Sequence, residues 1–320
     1  MKLSVLIGVA CVALASVAAG GASAQAWPTK PVRVIVNYAP GGSTDNATRP
    51  IMEKVSAALG QQFVIENRGG AAGAIGVEAG VKSPNDGYTF FASPVATLTI
   101  IPNARQTPYD VFKDMVPVAQ FADSTLVFAV HPSVPAKTIQ EFVEYAKKNP
   151  GKLSFGSSGL GTLTQMVCEQ LKQVTGIDML HVPYRGGAES LTDFLAGNVQ
   201  AFSEGNVFPH VKAGKARLLA VVDSERHPDF PDVPTMKEIY PEYDIINWFG
   251  LFAPAGTPAP IVKKMNEEIN KVAAMPEIKA HFLKLALKPN VSTPEEFGKR
   301  LRTDYDRYGK MVKQLDLKLD

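Results

Sequence analysis

The chain has 320 residues, with 33 Lys and Arg against 31 Asp and Glu, and two cysteines. The near-neutral balance, with no basic tail and no aromatic–basic stripe, excludes a nucleic-acid-binding surface. So few cysteines exclude a disulfide-built scaffold.

The first element is not part of the fold. Lys2 gives a short basic start, "LSVLIGVACVALASVAA" an apolar core, and "ASAQA" small residues for cleavage after Ala24 or Ala26. This reads as a signal peptide over residues 1–26. The run is too short for a membrane anchor, no later run approaches a span, and Cys11 lies too deep in it for a lipoprotein cysteine. The mature chain keeps only Cys168, expected in the core, so it forms no intrachain disulfide. An exported chain without disulfides suits a bacterial periplasm. Its roughly 290 residues suffice for two domains or one large one.

Short apolar strands then alternate with amphipathic helices, the pattern of an α/β protein. "VRVIVNY" reads as a strand, and "IMEKVSAALG" as a helix closing at Gly60. "QFVIENR" is a second strand running into "GGAAGAIG" and a helix, and "YTFFAS" is a third after the turn "NDG". "MVPVAQFADSTLVFAVHP" reads as strands again. "TIQEFVEYAKKNP" carries Ile139, Phe142, Val143 and Ala146 at helical spacing, with Thr138 and Glu141 placed for a capping box. "LSFGSSGLGTLTQMVCEQL" and "MLHVPYRGGAESLTDFLAG" each read as strand, glycine loop, helix. "ARLLAVV" and "INWFGLFAPAGTP" follow, then two long helices in "PAPIVKKMNEEINKVAAM" and "PEEFGKRLRTDYDRYGKMVKQL".

Three junctions stand out: Pro40–Asp45, Gly156–Thr162 and Tyr184–Ala188. Backbone amides at a helix N-terminus are unpaired and carry positive potential, so they favour an anion, and glycine permits close approach. Asp45 is expected to cap the first helix, and Pro50 to delay or bend it. Catalytic signatures are missing. "FGSSGLG" is not G-x-S-x-G, no loop has the Lys-Ser/Thr of a nucleotide-phosphate loop, and "GGAAGAIG" is not G-x-G-x-x-G. The five histidines, His131, His181, His210, His227 and His281, lack metal-ligand spacing. The pattern suits a receptor for an anion, with no metal and no cofactor. The competing reading is an exported serine hydrolase using Ser158, or Ser43, with His181 or His210 near it.

The stretches "WPTKPVRVIVNYAPGGSTD", "FVIENRGGAAGAIGVEAGVKSPNDGYTF", "HVPYRGGAESLTDFLAG", "VKAGKARLLAVV", "PDVPTMKEI" and "WFGLFAPAGTP" resemble the Bug receptors. These are the periplasmic solute-binding components of tripartite tricarboxylate transporters. The resemblance covers the chain from about Trp27 onward. It implies a two-domain periplasmic-binding-protein fold with crossing hinge strands and a ligand cleft between the domains. Domain one would be 27–125 plus 250–320, and domain two 126–249. It further implies no catalysis and a small carboxylate ligand: a di- or tricarboxylate, an acidic amino acid or an aromatic carboxylate. Loop amides and hydroxyls would hold it together with bridging waters. The chain would act as a monomer that delivers its ligand to membrane subunits of the transporter or to a sensor.

Carried over residue by residue, the first loop supplies Tyr38, Pro40, Gly41, Gly42, Ser43 and Thr44. The second domain supplies Ser157, Ser158, Gly161 and Thr162, then Tyr184, Arg185, Gly186, Gly187 and Ala188. Arg185 either forks onto a second acidic group of the ligand or points to solvent or across the hinge. Ser93, Glu204, Asn206, Phe208, Trp248 and Phe249 are candidates for selectivity, or else for core and hinge packing. Trp248 and the phenylalanines are placed to stack on a flat ligand if they line the cleft. Glu204 would repel a second carboxylate, and would select a ligand bearing an amine or hydroxyl.

Overall fold

Residues 27–243 and 245–319 are described by a computed structural model; the expected signal peptide, with Cys11, lies outside them. The strands are β1 (Val32–Val36), β2 (Phe63–Asn67), β3 (Thr89–Pro94), β4 (Met115–Ser124), β5 (Leu126–Val130), β6 (Leu153–Ser157), β7 (Met179–Pro183), β8 (Ala201–Glu204), β9 (Arg217–Val222), β10 (Asn247–Pro254) and β11 (Leu287–Pro289). The helices are α1 (Ser43–Leu59), α2 (Ala74–Val81), α3 (Val95–Thr99), α4 (Ile101–Ala104), α5 (Ile139–Lys148), α6 (Leu163–Thr175), α7 (Gly187–Leu195), α8 (Phe208–Lys212), α9 (Met236–Ile239), α10 (Ala259–Ala273), α11 (Pro276–Lys284) and α12 (Pro294–Gln314).

Two sheets organise the molecule, in the orders β11-β4-β10-β3-β1-β2 and β7-β6-β8-β5-β9. β1 is parallel to both β2 and β3, and β6 is parallel to both β7 and β8. β1 and β3 are apolar and buried along nearly their whole length, as parallel strands covered on both faces require, while the outer strands β2 and β7 are partly exposed. The chain leaves the first sheet at the end of β4, passes through Thr125 and enters the second as β5. It returns after α9 as β10, antiparallel to β3 and β4. β10 begins at Asn247, so Trp248 and Phe249 belong to the first sheet.

Local chemistry explains the elements. α1 buries Thr44, Ala47, Thr48, Ile51, Met52 and Val55, one stripe at helical spacing, and ends on left-handed Gly60 (φ 64°) as expected. Its start differs from expectation. Gly42 is the N-cap, Asp45 is the third helical residue, and Pro50 lies inside the helix. The Asp45 side chain does not cap; it folds back onto the preceding loop. α5 buries the four apolar residues named from its spacing, and Thr138 accepts the Glu141 amide. Glu141 reaches the Lys137 amide (2.6 Å) rather than that of Thr138, so the box is displaced by one residue. The glycines of "GGAAGAIG" serve close packing. A Cβ at Gly76 would lie 2.6 Å from Asn37 and from the Arg68 carbonyl, and one at Gly80 would strike Phe91.

One hydrophobic cluster runs across both sheets. It joins Phe91, Val95 and Leu98 to Phe128, Met166, Val167 and Cys168, with Trp248, Phe297 and Tyr308. Cys168 is fully buried, as the sequence suggested. The sequence did not reveal α11 or β11; β11 adds an edge strand beside β4.

Candidate functional site

Strand order locates the site. In each parallel trio the chain runs from the middle strand to its neighbour on one side and then crosses to its neighbour on the other, β1 to β2 to β3 and β6 to β7 to β8. β2-β1-β3 and β7-β6-β8 therefore each contain a switch point, where the loops leaving adjacent strands diverge and open a crevice. The loop after β1 (37–42) and the loop after β6 (158–162) lie at these two points. Beside them stand the ends of β3, at Ser93 and Pro94, and of β8, at Glu204. The loops after β2 and β7 complete each set. Leu319 and Ile101 both pack where a Cβ of Gly161 would lie, which brings the second set against α4 of the first sheet.

The helices that start here are built to leave amides available. α1, α6 and α7 begin at Gly42, Thr162 and Gly186 with no side-chain cap, and the other described helices also lack one except α5, α9 and α12, which Thr138, Thr235 and Thr293 cap. In the first loop, however, not every amide is free. Gly41 N–H donates to Asp45 Oδ2 (3.0 Å) and Gly42 N–H to the Ala39 carbonyl (3.2 Å). These two were expected to point at the ligand; instead they hold the loop's shape. The donors left are the first-turn amides of α1, beginning at Ser43, and the exposed Ser43 hydroxyl.

Asp45 is the keystone of this loop. Its carboxylate takes Arg49 Nη2 at 2.6 Å, Arg49 Nε at 3.2 Å and Asn67 Nδ2 at 3.0 Å, besides Gly41. Burial pushes its pKa up, but Arg49, the Gly41 amide and Asn67 outweigh that and hold it below the ordinary range. Asn37, at the end of β1, was not singled out from sequence. It is fully buried, its Nδ2 donates to Ser93 Oγ (2.9 Å), and its Oδ1 has no partner. The only sequence signal was a polar residue ending an apolar strand. Ser93 itself is fully buried and also donates to the Pro94 carbonyl. Tyr38 donates to the Ala72 carbonyl (3.0 Å).

The second set is equally self-bonded. Ser158 N–H and Oγ both meet Thr164 Oγ1 at 3.0 Å, and Gly161 N–H donates to Gln165 Oε1 (2.9 Å). Thr162 Oγ1 donates to the Gly159 carbonyl, and Tyr184 OH to Asp193 Oδ2 at 2.7 Å. Arg185 and Ala188 are exposed, as is Asn206. Ser158 Oγ donates to Glu204 Oε1 in a very short bond. The other oxygen of Glu204 lies where a Cβ of Gly187 would be, so a side chain at 187 would have to displace the carboxylate. Burial raises the Glu204 pKa and the Ser158 hydroxyl opposes that.

Several expected residues lie elsewhere. Trp248 is fully buried behind the first sheet, its ring edge-on to Phe297 (5.1 Å between centroids) and its indole N–H on Asp304 Oδ2 (2.8 Å). Both its apolar face and its polar handle are occupied, so it does not line the crevice. Phe249 sits in the core with Ile51 and Met265, and Phe208 packs on His227 and Phe230. The pairing of Ser158 with a histidine, expected for a hydrolase, is not formed. Ser158 faces a carboxylate, and His181 Nε2 bonds Ser157 Oγ instead (2.6 Å). Ser157 is 1% exposed and accepts the Gly159 amide, which makes it a clasp inside its loop. Among the described residues no group of His, Cys, Asp and Glu is placed to hold a metal.

Of two surface cavities of about 490 and 240 Å³, the larger lies outside the two loop sets and the smaller on the outer side of the turn after β2. The larger is lined by Lys82, Pro84, Asn85, Asp114 and Ala255, at the opposite end of the first sheet from the helix N-termini. The smaller flanks the turn after β2, beside Ala71, Ile75 and Arg105. Neither has the convergent amides of the switch points.

Comparison with known proteins agrees with this geometry. The family model described as tripartite tricarboxylate transporter family receptor matches residues 47–317. Protein BugT of Bordetella pertussis is 33% identical over 99% of this chain and 98% of its own. A structure described as a periplasmic transporter superposes with a TM-score of 0.86 at 38% identity, covering 92% of this chain and all of that one. R. palustris Rpa4515 with adipate gives 0.85 at 30% identity, covering 91% and 99%.

Proposed function

The chain belongs to the tripartite tricarboxylate transporter receptor family, and we propose that it captures a small organic carboxylate between two lobes and hands it to the transporter's membrane subunits. The observation that carries this reading is the pair of switch points, each opening onto uncapped helix N-termini. A carboxylate needs several donors but not a full counter-charge, which accounts for loops without lysine. The adipate held by Rpa4515 supports the same ligand class.

In this reading the first-turn amides of α1, from Ser43 and Thr44, and the Ser43 hydroxyl hold one ligand carboxylate. Thr162 and the amides at Gly186, Gly187 and Ala188 approach from the other lobe, and waters bridge the remainder. The lobes are then 27–125 with 247–320, and 126–246, the boundary moving from the expected 249/250 because β10 pairs in the first sheet from Asn247. Residues 1–26 direct export to the periplasm, and the receptor works there as a monomer without catalysis. A thermal-shift screen tests the assignment. A carboxylate at ~100 times its dissociation constant adds about 2.7 kcal/mol, and the matching amide adds nothing. Equal stabilisation by acid and amide would refute it.

A further inference from the structure

Glu204 sets an unusual condition at the second switch point. It ends β8, next to the loop after β6, so it stands where the fold opens its crevice. Its carboxylate lies on Gly187, the first residue of the nine-residue α7. Because the Cα–Cβ direction in a helix tilts toward the N-terminus, an oxygen at that Cβ position lies at the helix's amino end. This is the place a ligand anion would take. The Ser158 hydroxyl, the other donor there, already bonds Glu204. No described ion pair includes Glu204, so it is a recessed carboxylate whose hydrogen bond comes from a hydroxyl, beside a helix end. A charge removed from water without a counter-charge is costly.

We propose that Glu204 is the specificity-determining residue: it fills the second lobe's anion position itself, so that the receptor selects a carboxylate whose other polar group is an ammonium and rejects one with a second carboxylate there. The inference rests on the carboxylate-receptor reading and narrows its ligand class to amino acids. The first lobe takes the ligand carboxylate at α1, and Glu204 takes the ammonium. A second carboxylate would meet Glu204 as a like charge with no cation between, and such juxtaposition is strongly unfavourable at an interface. Glu204 also accepts from a hydroxyl, but an ammonium alone supplies the missing charge.

The test is titration calorimetry on the mature protein, refolded to remove any ligand carried through purification. The probes are short α,ω-dicarboxylates, the ω-amino acids of matching length, α-amino acids and hydroxy acids. Wild type is expected to bind an amino acid and to bind the matched dicarboxylate about tenfold or more weakly. E204Q keeps the size and the hydrogen bond from Ser158 but removes the charge, and is expected to reverse that preference. Wild type preferring a dicarboxylate or a hydroxy acid over every amino acid would overturn the proposal, whether or not the variant folds. So would a folded E204Q with an unchanged ratio. Binding of no carboxylate at all would instead refute the receptor reading on which the inference stands.

Discussion

At the residue scale, the side chains that matter are those whose partners lie far away in sequence. Glycine loops could be read directly, because a turn before a helix is local. The Asp45 network could not, since Asn67 comes from another strand and displaces the expected cap role. Asn37 and Glu204 were separated from their neighbours in the same way; Glu204 was named as a candidate, but only the fold sets it on Gly187. Trp248 stayed open between cleft and core because an aromatic next to a hinge carries the same letters whether it faces ligand or Phe297; the fold puts it in the core. Two predictions belong here. Gly187→Ala places a methyl in the Glu204 carboxylate, and should weaken binding about tenfold or more by calorimetry, while Gly298→Ala, on α12 with ordinary contact around the added methyl, should not. His181 is held neutral by burial, chiefly, with its pKa lowered to about 4 from 6.5. The unfolded chain binds that proton first, so His181's contribution is intact above about 6.5 and is lost as pH falls toward 4. His181→Gln should flatten that part of the stability–pH curve, measured by urea unfolding; an unchanged slope would mean that His181 titrates normally in the fold.

At the element scale, periodicity served well for amphipathic helices and for strands, and poorly for boundaries. α1 begins earlier than its apolar stripe suggested because Gly42, not Asp45, is its cap. α12 shows what capping contributes where no ligand is expected. Thr293 accepts the Glu296 amide and Glu296 returns the bond to Thr293 N–H (2.9 Å). Thr293→Ala should cost about 1 kcal/mol in chemical denaturation with no change in affinity. The helices at the crevice should behave oppositely. Gly186 has extended backbone and open space around a Cβ, so serine fits there and caps α7. Gly186→Ser should raise stability by a few tenths of a kcal/mol and lower affinity, because the new hydroxyl stands at the amino end of α7, beside the place the ligand's far end takes. Unchanged affinity would place the ligand away from α7.

At the scale of the whole molecule, the α/β class was legible from alternation alone, and the binding-protein fold from the run of family-like motifs. The strand orders were not, because order is a long-range property that no window of sequence carries. Yet it is the orders that explain why the glycine loops matter: they fall at two switch points, one per sheet. Two lobes joined through Thr125 and the passage into β10 are expected to close on the ligand, and small-angle scattering should record a smaller radius of gyration when it is bound. The most direct test of the central claim is calorimetry of the refolded mature protein with carboxylates and their uncharged amides. The account predicts one saturable site for at least one carboxylate and no heat for its amide. Saturable binding of the amide, or of no carboxylate in the panel, would contradict it.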